Sequence, residues 1–343
     1  MTLDEREPVY HDAPVRKRAM ASRREMLAAR PDLETLWDEA DAVFPVRVTA
    51  SFADRMDLSD PTDPLALQVL PHAGELVADE GDLIDPVGDQ ACSPVPWVVH
   101  KYPSRVLVLV TKRCHLYCRY CFRRDHDPGE AQDPSESDWE RAWAYVDQAG
   151  AEEVILSGGD PLAVNDRRLA DALRRARAAA PVVRLHTRAP ITFPRRVTPE
   201  LVALLREHGP AWVVVHCNHP KELAPDVDEA LRRLVDAGIP VLNQTVLLRG
   251  VNDDPDVLAE LSRGLVRRRV FPYYLHQTDK ARGNAHLRVP LEEALQLADA
   301  LKERVSGVAL PRHVVDQPDG GGKVDARRYA STVAEEDLPG NPR

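Results

Sequence analysis

Apolar residues are distributed along the chain in two textures. Up to about residue 100 they are scattered among Ala, Arg, Glu and Asp with proline punctuation, which predicts several short helices and connectors. From about residue 104, short apolar runs alternate with helical patterns, as a parallel sheet with crossover helices requires. The runs begin at Val106 (VLVLV), Val154 (VIL), Val182 (VVRL), Trp212 (WVVV), Val241 (VLNQTVLL) and Val270 (VFPYYL). After a first interval of 48 residues the starts recur at 28, 30, 29 and 29, the length of one βα unit.

The intervening segments carry helix signals. Trp139, Ala142, Trp143 and Val146 share a face, with Ser135 and Asp138 as a prospective capping box. Thr198 followed by Pro199 predicts a helix start that buries Leu201, Leu204 and Leu205. Another helix buries Leu231, Leu234 and Val235 and stops at Gly238. Six units predict an α/β fold, a partial (βα)6 TIM-like barrel with an N-terminal helical region. A flat doubly wound sheet is the alternative that periodicity leaves open. The expected division is 1–100 helical, 101–323 barrel and 324–343 exposed tail. In either geometry, catalytic groups should collect beyond the C-terminal ends of the strands.

Composition narrows the class. The chain has 343 residues, 43% hydrophobic and 29% charged, which fits a soluble enzyme-sized protein. A formal net charge of −10 argues against nucleic-acid binding, and the run Arg16-Lys17-Arg18 reads as a solvated helix face. The N-terminal MTLDEREPVYHD lacks an apolar signal core and no 18-residue apolar window exists, so a cytoplasmic protein without membrane association is expected. Three of the five cysteines fall within eight residues, a pattern of metal or redox chemistry rather than a disulfide framework. Cys92 and Cys217 read as buried small hydrophobes.

Cys114, Cys118 and Cys121 form a CxxxCxxC loop directly after the strand at Val106. Three thiolates leave one iron of a cubane unligated, free to be chelated by an amino acid's amino and carboxylate groups. A zinc site recruiting His115, or inert clustering, are the competing readings. This loop resembles that of the radical S-adenosylmethionine superfamily, and the resemblance covers roughly residues 104 to 276. It implies a 4Fe-4S cluster, S-adenosyl-L-methionine and a partial (βα)6 barrel. By the same resemblance, Ser157, Gly158, Gly159 and Asp160 look like the glycine-rich segment contacting the methionine amino group, though GGDP also makes an ordinary turn. Arg188, in HTR after the third run, has the chemistry to pair with the methionine carboxylate, or is a surface arginine.

Past the last unit, Asp316 to Lys323 reads DQPDGGGK. Three glycines let the chain fold tightly, so that Lys323 can reach a site and form a Schiff base with an aldehyde cofactor; a flexible linker is the plain alternative. With CxxxCxxCFRR, SGGDPL, HCNHP, NQTVLLRGVND, PYYLHQTD and DGGGK in order, the chain resembles the lysine 2,3-aminomutase family from about residue 96 to Lys323. That resemblance implies pyridoxal 5′-phosphate on Lys323 and its phosphate at Lys101, Tyr102 and Arg105. Lys101 stands where an arginine is common, which keeps charge and loses bidentate geometry. It also implies Arg123 for the substrate α-carboxylate and Asp279 and Asp316 for its side chain. Two carboxylates suit a cationic amino acid, lysine or arginine, over glutamate.

The chain departs from the long clostridial members. No cysteine follows Cys217, and Asp254 replaces a further zinc ligand, so no structural zinc is expected. In this it resembles the short branch that makes β-lysine for modifying elongation factor P. The implied reaction is isomerisation: a 5′-deoxyadenosyl radical takes a hydrogen from C3 and pyridoxal carries the nitrogen from C2 to C3. An external electron donor such as flavodoxin or ferredoxin is implied; self-association as a homo-oligomer is left open. Rival readings are an arginine 2,3-aminomutase, a radical enzyme without pyridoxal, and an iron-sulfur scaffold or sensor without turnover.

Overall fold

The computed structural model describes residues 19–125, 131–208 and 212–336, so Arg16-Lys17-Arg18 and the N-terminal dodecapeptide lie outside the described residues. One nine-stranded sheet organises the chain: β1 (Val98–Tyr102), β2 (Arg105–Thr111), β3 (Glu153–Gly158), β4 (Val182–His186), β5 (Trp212–His216), β6 (Val241–Val246), β7 (Val270–His276), β8 (Arg312–Gln317) and β9 (Gly322–Asp325). Strands β2 to β8 are mutually parallel, while β1 and β9 pair antiparallel at the two ends. All six anticipated strands are present. Three were not anticipated, because β1, β8 and β9 offer only one or two consecutive aliphatic residues each.

Strand order follows chain order throughout, with no reversal, which excludes a doubly wound sheet. The two ends of the sheet also meet: the Lys323 amide of β9 donates to the Tyr102 hydroxyl of β1. In a flat sheet, eight inter-strand steps would hold these strands roughly 40 Å apart. The sheet therefore curls into a near-closed barrel with a seam between β1 and β9.

Helices α4 (Glu136–Ala149), α5 (Asp166–Ala179), α7 (Pro199–His208), α8 (Pro225–Asp236), α9 (Pro255–Arg267) and α10 (Leu291–Lys302) cross over between parallel strands, and α6 (Ala189–Thr192) is a single turn between β4 and α7. The predicted faces are the buried ones. Trp139, Trp143, Leu201, Leu205, Leu231 and Leu234 pack on Val106, Val154, Val183 and Val213 in one continuous core, whereas Val235 is only half-buried. Each such side chain contributes about 1.5–3 kcal/mol on leaving water. Thr198 Oγ1 accepts from the Leu201 amide as expected. Ser135 Oγ accepts from Asp138 N, but it donates to the Asp138 carboxylate, which therefore does not return to the cap backbone as a full box would. Asp254 caps α9 by accepting from Asp256 N and Val257 N.

The N-terminal region is short helices and connectors, α1 (Arg23–Ala29), α2 (Glu34–Val43) and α3 (Ala50–Ala53), with β1 running across the expected boundary at residue 100. Within the segment expected as an exposed tail, residues 324 and 325 finish β9 and α11 (Ala326–Glu336) follows with Ala326 buried, while 337–343 lie outside the described residues. Among the described residues no helix is long and apolar enough to cross a membrane.

Candidate active site

The cysteine loop leaves the C-terminal end of β2 and is clamped from the N-terminal region. Tyr117 N donates to the Arg47 carbonyl and Arg119 N to the Gln68 carbonyl, while Leu116 packs with Val48, Leu65 and Leu70. Arg119 is fully buried, its Nε 2.9 Å and 3.0 Å from the two Glu75 oxygens and its Nη1 on the carbonyls of Phe44 and Pro45. Arg124 Nη2 shares Glu75 at 2.9 Å. Burial raises the Cys114 thiol well above its ordinary value and pushes Cys121 up to about 11, with neighbouring thiols adding to each. Such thiols ionise when a metal displaces their protons. Among the described residues no three His, Cys, Asp or Glu side chains stand close enough to hold one ion. A cubane makes no such demand, since each thiolate binds a different iron.

The glycine segment packs against the base of the cysteine loop. Gly158, with φ +138°, lies so near β2 that any Cβ would overlap the Thr111 carbonyl oxygen. Gly159 N and Asp160 N donate to the carbonyls of Thr111 and Arg113, each at 2.7 Å. The close approach is thus to the base of the cysteine loop. Ser157 is buried within β3 opposite Leu109. The Asp160 carboxylate is spent on protein donors: Leu162 N, Thr187 Oγ1, Arg188 N and Ala189 N, at 2.6–3.0 Å. It ties the loop after β3 to the loop after β4.

Arg188 is not a surface arginine. Its Nη1 donates to Cys118 Sγ at 2.7 Å, and its Nη2 reaches Gln68 at 2.7 Å and Glu222 at 3.1 Å. Its Nε is buried with no partner among the described residues, leaving one donor for a ligand oxygen.

At the seam, Gly322 has φ +84° and no room for a Cβ beside the Tyr102 hydroxyl, which fixes the glycine before the lysine. Arg105 stacks on the Tyr102 ring, 3.5 Å from its centroid. Lys323 Nζ lies 2.8 Å from Asp316, which it holds below the usual carboxylate range against the effect of burial. The Asp279 carboxylate accepts no hydrogen bond among the described residues, and burial together with the Asp316 charge pushes it up to about 8. The two aspartates therefore lie within electrostatic reach of each other.

Arg123 and Lys101 converge on a residue that sequence reasoning missed. Asp89 accepts from Arg123 Nη2 at 2.7 Å and from Lys101 at 2.6 Å. Burial alone would raise Asp89; Arg123 and Lys101 outweigh it and hold its pKa down. Lys101 also donates to the Val87 carbonyl. Asp89, Glu75, Gln68 and Glu222 sit in no recognisable local pattern, and only folding gives them meaning. Of the other cysteines, Cys217 is buried as expected, but Cys92 is half-buried, against Gly320.

Groups fit for an aldehyde cofactor are present: a primary amine at the seam, and the buried Nε2 atoms of His186 and His276, each without a partner among the described residues. His186 on β4 lies within electrostatic reach of Lys323, His276 and Arg123, which puts all four around one lumen.

A sheet of this order with a three-cysteine loop at its C-terminal mouth defines a radical S-adenosylmethionine protein, and the Radical SAM superfamily model matches residues 108–261. The L-lysine 2,3-aminomutase of Fusobacterium nucleatum is 39% identical over 280 residues, covering 80% of this chain and 66% of its own length. That of Clostridium subterminale is 40% identical over 280 residues, covering 80% and 67%. The Haemophilus influenzae L-lysine 2,3-aminomutase is 37% identical over 287 residues, covering 82% of this chain and 85% of its own length. The chain belongs to the L-lysine 2,3-aminomutase family. It spans about two thirds of the length of the first two relatives.

Proposed function

We propose that this chain is a radical aminomutase that moves the 2-amino group of lysine to C3, with pyridoxal 5′-phosphate carried on Lys323. The observation that carries the reading is the seam, where Tyr102, Asp316 and Lys323 meet although Tyr102 and Lys323 are 221 residues apart in the chain. When bound, the cluster and S-adenosylmethionine supply a hydrogen-abstracting radical, and pyridoxal phosphate carries the migrating nitrogen.

The protein's part is to bind, orient and exclude water. Cys114, Cys118 and Cys121 hold the cluster, and Arg188 beside Cys118 offers its Nε to the methionine carboxylate. Asp160 fixes the backbone that presents Arg188. Tyr102 and Arg105 flank Lys323 as phosphate partners. Arg123 takes the substrate α-carboxylate, with Asp89 holding the guanidinium in place. Asp279 and Asp316 accept the side-chain ammonium, and the Asp316 charge opposes an acidic side chain.

Anaerobic incubation of the reconstituted protein with S-adenosylmethionine, pyridoxal phosphate and lysine should yield β-lysine by mass spectrometry. Lys323→Ala should lose both product and the pyridoxal absorbance at roughly 420 nm. Cys114→Ala should lose the product and keep the absorbance. Conversion of arginine in place of lysine would move the assignment, and full pyridoxal loading of Lys323→Ala would refute it.

A further inference from the structure

Arg312 opens β8, four residues before Asp316, and belongs to neither KYPSR nor DGGGK. Its neighbours fix the face it occupies. His313 and its strand partner Leu275 line a crevice against α10, outside the barrel. Successive strand residues point to opposite faces, so Arg312 and its partner Tyr274 point into the lumen, on the side that carries Asp316. The contact agrees: the Arg312 guanidinium stands 5.8 Å from the centroid of the Tyr274 ring.

A continuous wall runs from Arg312 to the lysine. Tyr274 meets His276 edge-on with centroids 5.4 Å apart, His276 Nδ1 lies 3.6 Å from Asp316, and Asp316 lies 2.8 Å from Lys323 Nζ. Four strand residues span about 13 Å. The phosphate of an aldehyde ring held at the tip of Lys323 falls inside that span, and an arginine side chain closes the remainder.

Arg105 reaches the same place from across the seam, since the Tyr274 phenol lies within electrostatic reach of both Arg312 and Arg105. Among the described residues neither guanidinium has an ion pair or a hydrogen bond; Arg105 lies over the Tyr102 ring and Arg312 over that of Tyr274. Arg184, also on the lumen face, is by contrast paired with Glu153. Two guanidiniums gathered around one tyrosine with no carboxylate between them repel each other until an anion joins them.

A phosphate monoester is such an anion, and it needs more than one fork. It brings about two negative charges and three acceptor oxygens, of which one arginine engages two. Lys101 supplies a point charge rather than a fork, and two of its three N–H donors are engaged by Asp89 and the Val87 carbonyl.

We propose that Arg312 is a further phosphate-binding residue, which closes with Arg105 a two-arginine clamp on the phosphate of the cofactor carried by Lys323. The inference rests on the pyridoxal phosphate reading and adds to it a residue from a third strand of the seam.

The test separates the phosphate from the aldehyde. The full chain is titrated with pyridoxal phosphate and, separately, with pyridoxal, which has the same aldehyde and no phosphate. Borohydride trapping with peptide mass spectrometry reads the occupancy of Lys323. Arg312→Gln should raise the half-saturating concentration of pyridoxal phosphate about tenfold or more and that of pyridoxal less than about twofold. Arg312→Lys should fall between, because it keeps the charge and loses the fork. Inorganic phosphate should compete with pyridoxal phosphate about tenfold less well in Arg312→Gln than in wild type. Arg312 is exposed, so both variants should fold; should Arg312→Gln bind neither aldehyde, the same split in Arg312→Lys decides. Equal weakening for the two aldehydes would make Arg312 a structural residue, and no weakening for either would place it away from the phosphate; each overturns the clamp. If wild type forms no Lys323 adduct with either aldehyde, the pyridoxal reading itself fails, and the clamp with it.

Discussion

Around the cysteine loop, Glu75, Arg119 and Arg124 have side-chain exposures of 1%, 0% and 2%, and each is ion-paired. At the seam, Lys323 keeps 31% of its side chain exposed and the Asp279 carboxylate accepts no hydrogen bond among the described residues. The difference follows from what each end must do. A cluster is held once and must stay still, so its loop is nailed to the N-terminal region by a buried charge network that tolerates no missing partner. On the pyridoxal reading proposed above, a lysine that exchanges a covalent partner must move, and its ion pair is accordingly the more accessible of the two.

The sharpest way to break this contrast is at Glu75. Glu75→Gln leaves two buried guanidiniums without their carboxylate, which should cost about 3–5 kcal/mol, a large share of a typical stability of about 5–15 kcal/mol. Denaturant titration measures it. A loss under about 1 kcal/mol would mean that the cysteine loop is not the rigid side. Next in size is Gly158→Ala, which forces a side chain at φ +138° into the Thr111 carbonyl. It should destabilise by about 1–3 kcal/mol and, because β3 must withdraw from the cysteine loop, lower the iron and sulfide bound on reconstitution. Normal iron content in that variant would separate the glycine turn from the loop it abuts.

The same contrast explains what was legible in the sequence. Val106, Val154, Val182, Trp212, Val241 and Val270 each begin a run long enough to show its strand, and the three cysteines lie within eight residues. Local order writes itself locally. The seam instead joins β1, β8 and β9, whose short polar strands carry no periodic signal and form only because the curled sheet supplies a partner. Tyr102, Asp316 and Lys323 were reachable through a family resemblance, but Asp89 between Arg123 and Lys101 was not. A lone aspartate in a proline-rich connector looks like any turn residue until two cations fold onto it. Likewise the Asp160 oxygens meet three backbone amides and the Thr187 hydroxyl, a set of partners that a GGDP turn does not announce.

The smallest effect separates the two ends by pH. Burial and the Asp316 charge lift Asp279 from the usual 3.8 to about 8. Below about pH 4 the folded and unfolded chains both carry the proton; above that the unfolded chain loses it while the folded one keeps it up to about 8. This contribution to stability is therefore whole in acid and declines as pH rises toward 8. Asp279→Asn, always neutral, should lack that decline and melt higher than wild type at pH 8 to 9. Binding runs the other way. A lysine side chain favours the ionised carboxylate, so wild type should release a proton on binding at pH 7, and its affinity should rise between pH 6 and 9. Loss of one charge-assisted contact should weaken lysine binding in Asp279→Asn by about tenfold or more at pH 9, with little difference at pH 6. Calorimetry in two buffers of unlike ionisation enthalpy reads the proton directly. Equal proton release in both proteins would show that Asp279 does not meet the substrate's charge, and would leave Asp316 to hold it alone.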